Sequence, residues 1–168
     1  MELVPRFSTE EIHEAVQRIA GEISTDHEGH ELLLVGILTG SFVFLADLIR
    51  AMTIPLQVDF IRARSYGTGT HSSGAVEITK DIETDITDRH VVVVEDILDT
   101  GLTVDVVTAR LRAGRPASVS TCALLVREGS PEPDYMGLWT PRGFVVGYGI
   151  DFAERYRELP EIWAIPGT

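Results

Sequence analysis

Lysine is almost missing from this chain: Lys80 is the only one, and every other fixed positive side chain is arginine. Acidic residues outnumber basic ones, 26 against 14, for a formal net charge of −12. That balance argues against a broad surface for nucleic acid or an anionic membrane, because such binding is driven by clustered cations that neutralise phosphates. An anionic ligand must instead be held locally, by backbone amides, a few arginines and a metal ion. There is a single cysteine, Cys122, so no internal disulfide can form. It lies in the apolar run Cys122-Ala123-Leu124-Leu125-Val126, which predicts a buried thiol rather than a reactive one. No apolar run is long enough to span a bilayer, and the first residues lack the basic-then-apolar pattern of a secretory signal. The cytoplasm is the expected location. Repeats, low-complexity tracts and a second-domain boundary are also missing, and 168 residues are expected to form one domain, 1–168, with a real core.

What is present centres on one stretch, Val91 to Thr103. Four consecutive valines predict a strand buried on both faces, as in a parallel sheet, because no alternate position is reserved for water. Glu95, Asp96, Asp99, Thr100, Gly101 and Thr103 follow, and the spacing of Val104, Val106, Val107, Ala109, Arg110 and Leu111 then suits a helix with one apolar face. A helix N-terminus leaves backbone N–H groups without partners, glycine lets an anion approach the main chain, and threonine hydroxyls add donors. A phosphate fits there. The Glu95 and Asp96 carboxylates suit sugar hydroxyls and a magnesium ion. The pattern therefore describes a ribose 5-phosphate site.

Elsewhere, Ser8 with Glu11 forms a capping-box signature ahead of a helix starting near Thr9. The apolar run 32–38 predicts a second buried strand, ending in Thr39-Gly40-Ser41 before an apolar helix. Two strand-to-helix turns thus fall at the carboxyl edge of a parallel sheet, where open α/β folds place ligands. An alternating strand runs from about 56 to Arg64. The glycine- and serine-rich 65–74 and the short strand 76–78 then predict a long hairpin whose mobile tip, about 65–76, is either a lid or a simple surface loop, with Tyr66 its one large residue. Strands are also expected at 119–126, 144–148 and 162–165. His27 and His30 have no third ligand nearby in sequence and are read as ordinary loop residues.

The string Glu95-Asp96-Ile97-Leu98-Asp99-Thr100-Gly101-Leu102-Thr103 resembles the phosphoribosyl pyrophosphate (PRPP) motif of the type I phosphoribosyltransferases. With Leu38-Thr39-Gly40-Ser41-Phe42, Ser65-Tyr66-Gly67, Phe144 to Asp151 and Arg157, the chain resembles the hypoxanthine and hypoxanthine-guanine branch of that family. The resemblance implies an α/β core with a central, mainly parallel sheet flanked by helices. It also implies a small hood from the terminal segments, drawn mainly from about 135–168, and a long flexible hairpin loop. It implies transfer of the phosphoribosyl group from PRPP to N9 of a 6-oxopurine, with Mg2+, in a homodimer or homotetramer. Asp99 is then the proton partner of purine N7. Glu95 and Asp96 take the ribose hydroxyls, and Thr100, Gly101, Leu102 and Thr103 take the 5-phosphate. Leu38, Thr39, Gly40 and Arg157 receive pyrophosphate, in a turn where a non-proline cis peptide is expected. Ser65 and Tyr66 belong to the lid. Arg127, Phe144, Val145 and Asp151 face the purine, and Glu95, Asp96 and Asp151 are the metal ligands. Two residues depart from the usual pattern: Arg127 stands where lysine is common, and Thr39 where lysine or arginine is common. A xanthine- or guanine-preferring transferase, or a non-catalytic sensor of PRPP or nucleotide on the same fold, stays open at the level of sequence.

Overall fold

The structure, a computed structural model, describes residues 2–66 and 75–167. In chain order the elements are β1 (Val4–Phe7), α1 (Thr9–Asp26), β2 (Leu32–Leu38), α2 (Phe42–Ala51), β3 (Leu56–Tyr66), β4 (Ala75–Lys80), β5 (His90–Leu98), α3 (Leu102–Arg112), β6 (Ser118–Arg127), β7 (Tyr135–Thr140), β8 (Phe144–Val146) and β9 (Ile162–Ile165). Six strands form one sheet in the order β4-β3-β2-β5-β6-β7, and β1-β9-β8 form a second. Within the large sheet only β4 runs antiparallel to its neighbour.

Side chains alternate across the two central strands. Leu32 and Leu34 of β2, with Val92 and Val94 of β5, pack under Ile12, Ile19, Phe44 and Leu48 of α1 and α2. Leu33, Val35, Val91 and Val93 face the other way, onto Val104, Val107 and Leu111 of α3. The valine run is therefore uninterrupted because both of its faces are interior. α1 begins as the sequence predicts: Glu11 N–H donates to Ser8 Oγ and Ser8 N–H donates to Glu11 Oε2, 3.2 and 2.9 Å. Cys122 is buried, which pushes its thiol pKa up.

The hood differs from expectation in what it draws on. Residues 135–140 are not part of it: they form β7, which joins the large sheet parallel to β6. Gly137 makes the pairing possible, because a Cβ there would overlap the Leu124 carbonyl. The hood sheet consists of β8 and β9 together with β1, a strand at 4–7 that sequence reading passed over. The predicted strand at 144–148 is shorter, since Gly147 turns to pair with Ile150. β3 and β4 pair antiparallel as the stem of the predicted hairpin, whose tip at 67–74 lies outside the described residues.

Candidate functional site

The parallel strands β2 and β5 lie side by side, so the loops after them open at the same edge of the sheet. After β5 come the two adjacent carboxylates. Glu95 is buried and Asp96 half-buried. Burial first, and the neighbouring Asp96 charge second, push the Glu95 pKa well above the usual carboxylate range. Asp96 is oriented by its own loop, with Ile97 N–H donating to its Oδ1 at 2.9 Å.

The loop then turns through Gly101, whose φ of 85° is left-handed, and α3 starts at Leu102. Leu102 N–H donates to Thr100 Oγ1 at 3.4 Å, and Leu102 itself is exposed. Thr100 to Thr103 thus wrap the N-terminus of an eleven-residue helix, where oriented N–H groups favour an anion.

After β2, the peptide between Leu38 and Thr39 is cis. Ser41 Oγ donates to the Ile37 carbonyl at 2.7 Å and Phe42 N–H to the Thr39 carbonyl at 3.2 Å, closing the turn into α2. Gly40 touches the second loop directly, for a Cβ on it would overlap the Asp96 carboxylate. It also touches the hood side, where a Cβ on Gly149 would lie 2.7 Å from the Gly40 carbonyl oxygen. Two glycines therefore let three chain segments meet, Gly149 against the Gly40 backbone and Gly40 against the Asp96 side chain.

The third segment, 147–159, is held by Arg157. Its guanidinium donates to the Gly149 carbonyl at 2.8 Å and pairs with Asp151 Oδ1 at 2.9 Å and Glu154 Oε2 at 3.4 Å. Tyr148, Ala153, Glu154 and Tyr156 all sit at left-handed φ, from 52° to 78°. Such residues persist only where surrounding bonds hold them. The bonds from Tyr148 N–H to the Leu159 carbonyl and from Gly149 N–H to the Arg157 carbonyl, 2.7 and 3.0 Å, do so here.

These three segments enclose a cavity of about 600 Å³ lined by Leu38, Thr39, Gly40, Asp96, Asp151 and Arg157, all of them predicted site residues. Arg62, Arg64 and Glu154 share its wall and were assigned no role by sequence reading. Two arginines closing a strand in so acidic a chain were the available signal. A larger cavity, about 1230 Å³, lies between α1, α2 and residues 157–160; it lacks Asp96, Asp99 and Asp151 and is not where the chemistry converges.

A second grouping stands beside the first. Arg127 at the end of β6 is mostly buried, its Nε 3.2 Å from Asp99 Oδ2, and its Nη1 donates to the Gly143 carbonyl. Asp99 is largely exposed at the loop tip. Phe144 presents a half-exposed ring, packed edge-on against Phe152 at 5.7 Å, while Val145 is buried. Ser65 is exposed on β3 and pairs with Val76. The side chain of Tyr66 lies outside the described residues.

Among the described residues no three His, Cys, Asp or Glu side chains converge to hold a cation by themselves. Magnesium does not require that. It is commonly bound by one or two carboxylates with water and substrate oxygens completing the shell, and a buried glutamate beside an aspartate at a cavity wall fits such a role.

The sequence pattern of the phosphoribosyl transferase domain matches residues 8–153. The hypoxanthine phosphoribosyltransferase of Haemophilus influenzae is 39% identical over 160 residues, covering 91% of this chain and 89% of that protein. The bifunctional protein TilS/HprT of Listeria monocytogenes is 40% identical over 160 residues, 93% of this chain, and this chain spans 25% of its length. Among solved structures, a hypoxanthine-guanine phosphoribosyltransferase of Bacillus anthracis superposes with a TM-score of 0.91 at 40% identity, covering 98% of this chain and 99% of that one. A mutant hypoxanthine phosphoribosyltransferase of Trypanosoma cruzi, in complex with the product IMP, gives a TM-score of 0.88 at 37% identity, covering 99% and 91%.

Proposed function

We propose, from the premise that the chain belongs to the phosphoribosyl transferase domain family, that it is a purine salvage enzyme. It moves the 5-phosphoribosyl group of PRPP to N9 of hypoxanthine or guanine, giving IMP or GMP and pyrophosphate. The observation that carries this reading is the meeting of the 38–40 turn, the Asp96 carboxylate and the Asp151–Arg157 pair around one cavity. A phosphate-favouring helix start opens at the same sheet edge. The relatives named for this reaction support it across nearly the whole chain.

In the reaction the C1–O bond to pyrophosphate breaks as the N9–C1 bond forms, through an oxocarbenium-like transition state. Thr100, Gly101, Leu102 and Thr103 hold the 5-phosphate by N–H and hydroxyl donation, while Glu95 and Asp96 accept from the ribose hydroxyls. The 38–40 turn and Arg157 take the departing pyrophosphate. Phe144 stacks on the purine, Val145 offers backbone groups to its edge, and Arg127 donates to the exocyclic oxygen. Asp99 accepts the proton from N7 as general base while N9 bonds to C1, so the base of the product is neutral. Arg127, already within 3.2 Å of Asp99, ties base recognition to proton handling. Glu95, Asp96 and Asp151 are the residues that would hold Mg2+, which supplies charge neutralisation for the leaving group. Ser65 and Tyr66 begin a lid, about 65–76, that keeps water from the sugar cation.

Residues 1–168 act as one phosphoribosyltransferase domain in this reading. Its hood is formed by β1, β8 and β9. Among the described residues no helix is long and apolar enough to cross a membrane, and we assign the protein to the cytoplasm. A homodimer or homotetramer is the proposed assembly. The test is to mix the protein with magnesium and PRPP, offer hypoxanthine, guanine, xanthine and adenine separately, and follow nucleotide formation. Turnover of hypoxanthine or guanine with little of adenine is expected. Binding of PRPP without turnover of any base would overturn the assignment.

A further inference from the structure

The start of α3 can hold a phosphate only while the loop before it keeps its shape, and that loop has little of its own to keep it. Its N-cap is Gly101, which has no side chain to bond the first N–H groups and sits at a left-handed φ of 85°. The bond from Leu102 N–H to Thr100 Oγ1 is long, 3.4 Å. Asp99, Thr100 and Leu102 are exposed, yet Gly101 between them is buried. Its cover comes from another connection: a Cβ on Gly101 would lie 3.1 Å from Pro131 Cγ and 3.7 Å from Pro131 Cδ.

Pro131 belongs to the connection between β6 and β7. That connection opens with a tight turn, in which Ser130 N–H donates to the Arg127 carbonyl at 3.1 Å and Gly129, the third residue, has a φ of 83°. Glu128 N–H donates to the Thr140 carbonyl at 3.0 Å and fixes the turn to the end of β7. So held, Ser130 Oγ donates to the Leu98 carbonyl at 3.1 Å, where β5 ends. Leu98 is buried, so its carbonyl needs a partner from the protein. The turn begins at Arg127, already paired with Asp99. Residues 127–131 therefore touch the phosphate loop at Leu98, Asp99 and Gly101.

We infer that Ser130 and Pro131 are positioning residues for the 5-phosphate. Neither touches the ligand; together they hold the Gly101 turn in the shape that aims the first N–H groups of α3 at it. The inference rests on the phosphoribosyl transfer reading above. A loop that must find its shape on binding subtracts the ordering cost from the affinity, and a loop held beforehand does not. Proline suits the task because its ring fixes its own φ and presents a stiff surface to Gly101. Serine adds direction, since its bond ties the last residue of β5 to the turn. The 5-phosphate is remote from the reacting C1 and is held alike before and during transfer. A looser cradle thus weakens every ligand that carries the 5-phosphate, raises KM more than it lowers kcat, and leaves free pyrophosphate alone.

The test compares wild type, Ser130→Ala, Pro131→Ala, the double variant and Ser130→Thr by calorimetric titration with IMP and, separately, with magnesium pyrophosphate, alongside steady-state kinetics. In the double variant the IMP Kd and the KM for PRPP are expected to rise about fivefold to tenfold, with kcat changed less than about twofold. The pyrophosphate Kd should hold, and Ser130→Thr, which keeps a hydroxyl, should stay near wild type. Pro131→Ala, at an exposed position, keeps the test open should the double variant fail to fold. Unchanged IMP and PRPP affinities would overturn the inference. So would a parallel rise in the pyrophosphate Kd, which would mark a general loosening of the fold, or a loss confined to kcat. A wild type that makes no nucleotide but binds IMP more tightly than the double variant would leave both residues assigned and remove the transferase reading. Nucleotide formation with a PRPP KM indifferent to both residues would do the reverse.

Discussion

Gly40 shows how much of this site depends on what a residue omits. Its hydrogen lies where the Asp96 carboxylate packs, so Gly40→Ala forces the turn and the β5 loop apart. A displacement of about 1 Å at a reacting centre can cost about a hundredfold in rate. We expect kcat/KM for PRPP to fall by that order while the circular dichroism spectrum and unfolding midpoint stay close to wild type; an unimpaired variant would show that the contact is incidental. Residue identity was legible wherever chemistry needs a rare combination, as in the string from Glu95 to Thr103. It was not legible where a role comes from position alone. Arg62 carries no motif beyond its place with Arg64 near the end of β3, and only the fold, which pairs it with Leu38, shows that it reaches the cavity wall. The Asp99–Arg127 ion pair was likewise hidden, because the two residues come from the ends of different strands.

At the level of elements, regular burial patterns were readable and irregular ones were not. β2 and β5 are buried on both faces and announced themselves as unbroken apolar runs, and α1 was bounded by its capping box. That box is expected to matter energetically: Ser8→Ala should lower stability by about 1 kcal/mol, read as a shift in the urea midpoint with unchanged slope. Ser8→Asp, which keeps an acceptor at the cap, should recover most of it. No shift in Ser8→Ala would mean that β1 and its pairing with β9, not the cap, fix the start of α1. β7 escaped sequence reading because its buried positions are Tyr135, Gly137 and Thr140, a mixture without an apolar signature, following a loop with two prolines. β1 escaped because three of its four residues are exposed; its reason to be a strand lies 160 residues away in β9. Long-range pairing of this kind leaves little trace in local composition.

For the molecule as a whole, a histidine cluster lies apart from the candidate site. At the amino-terminal edge of the sheet, opposite the cavity, the rings of His27, His30 and His90 meet, with centroid distances of 5.8 and 4.5 Å to His90. Ser118 Oγ contacts His90 Nδ1, and Tyr135 beside His27 bonds Asp26. Burial first, then the His30 and His27 charges, hold the His90 pKa below its ordinary 6.5. A depressed histidine favours the neutral form when folded. Below about pH 6.5 the unfolded chain therefore takes up protons that the folded one resists, and stability falls as pH drops through that window toward the lowered value. The urea midpoint is expected to decline between pH 7 and 5.5 in wild type and less in His90→Asn; equal slopes would contradict this. Phosphoribosyl transfer at the carboxyl edge of the sheet is tested by measuring pyrophosphate release and nucleotide formation together from PRPP, magnesium and hypoxanthine, in wild type and Asp99→Ala. We predict equal amounts of both products, none without the base, and a rate lowered about 10²-fold or more in the variant. Pyrophosphate released without nucleotide, or a rate indifferent to Asp99, would contradict it.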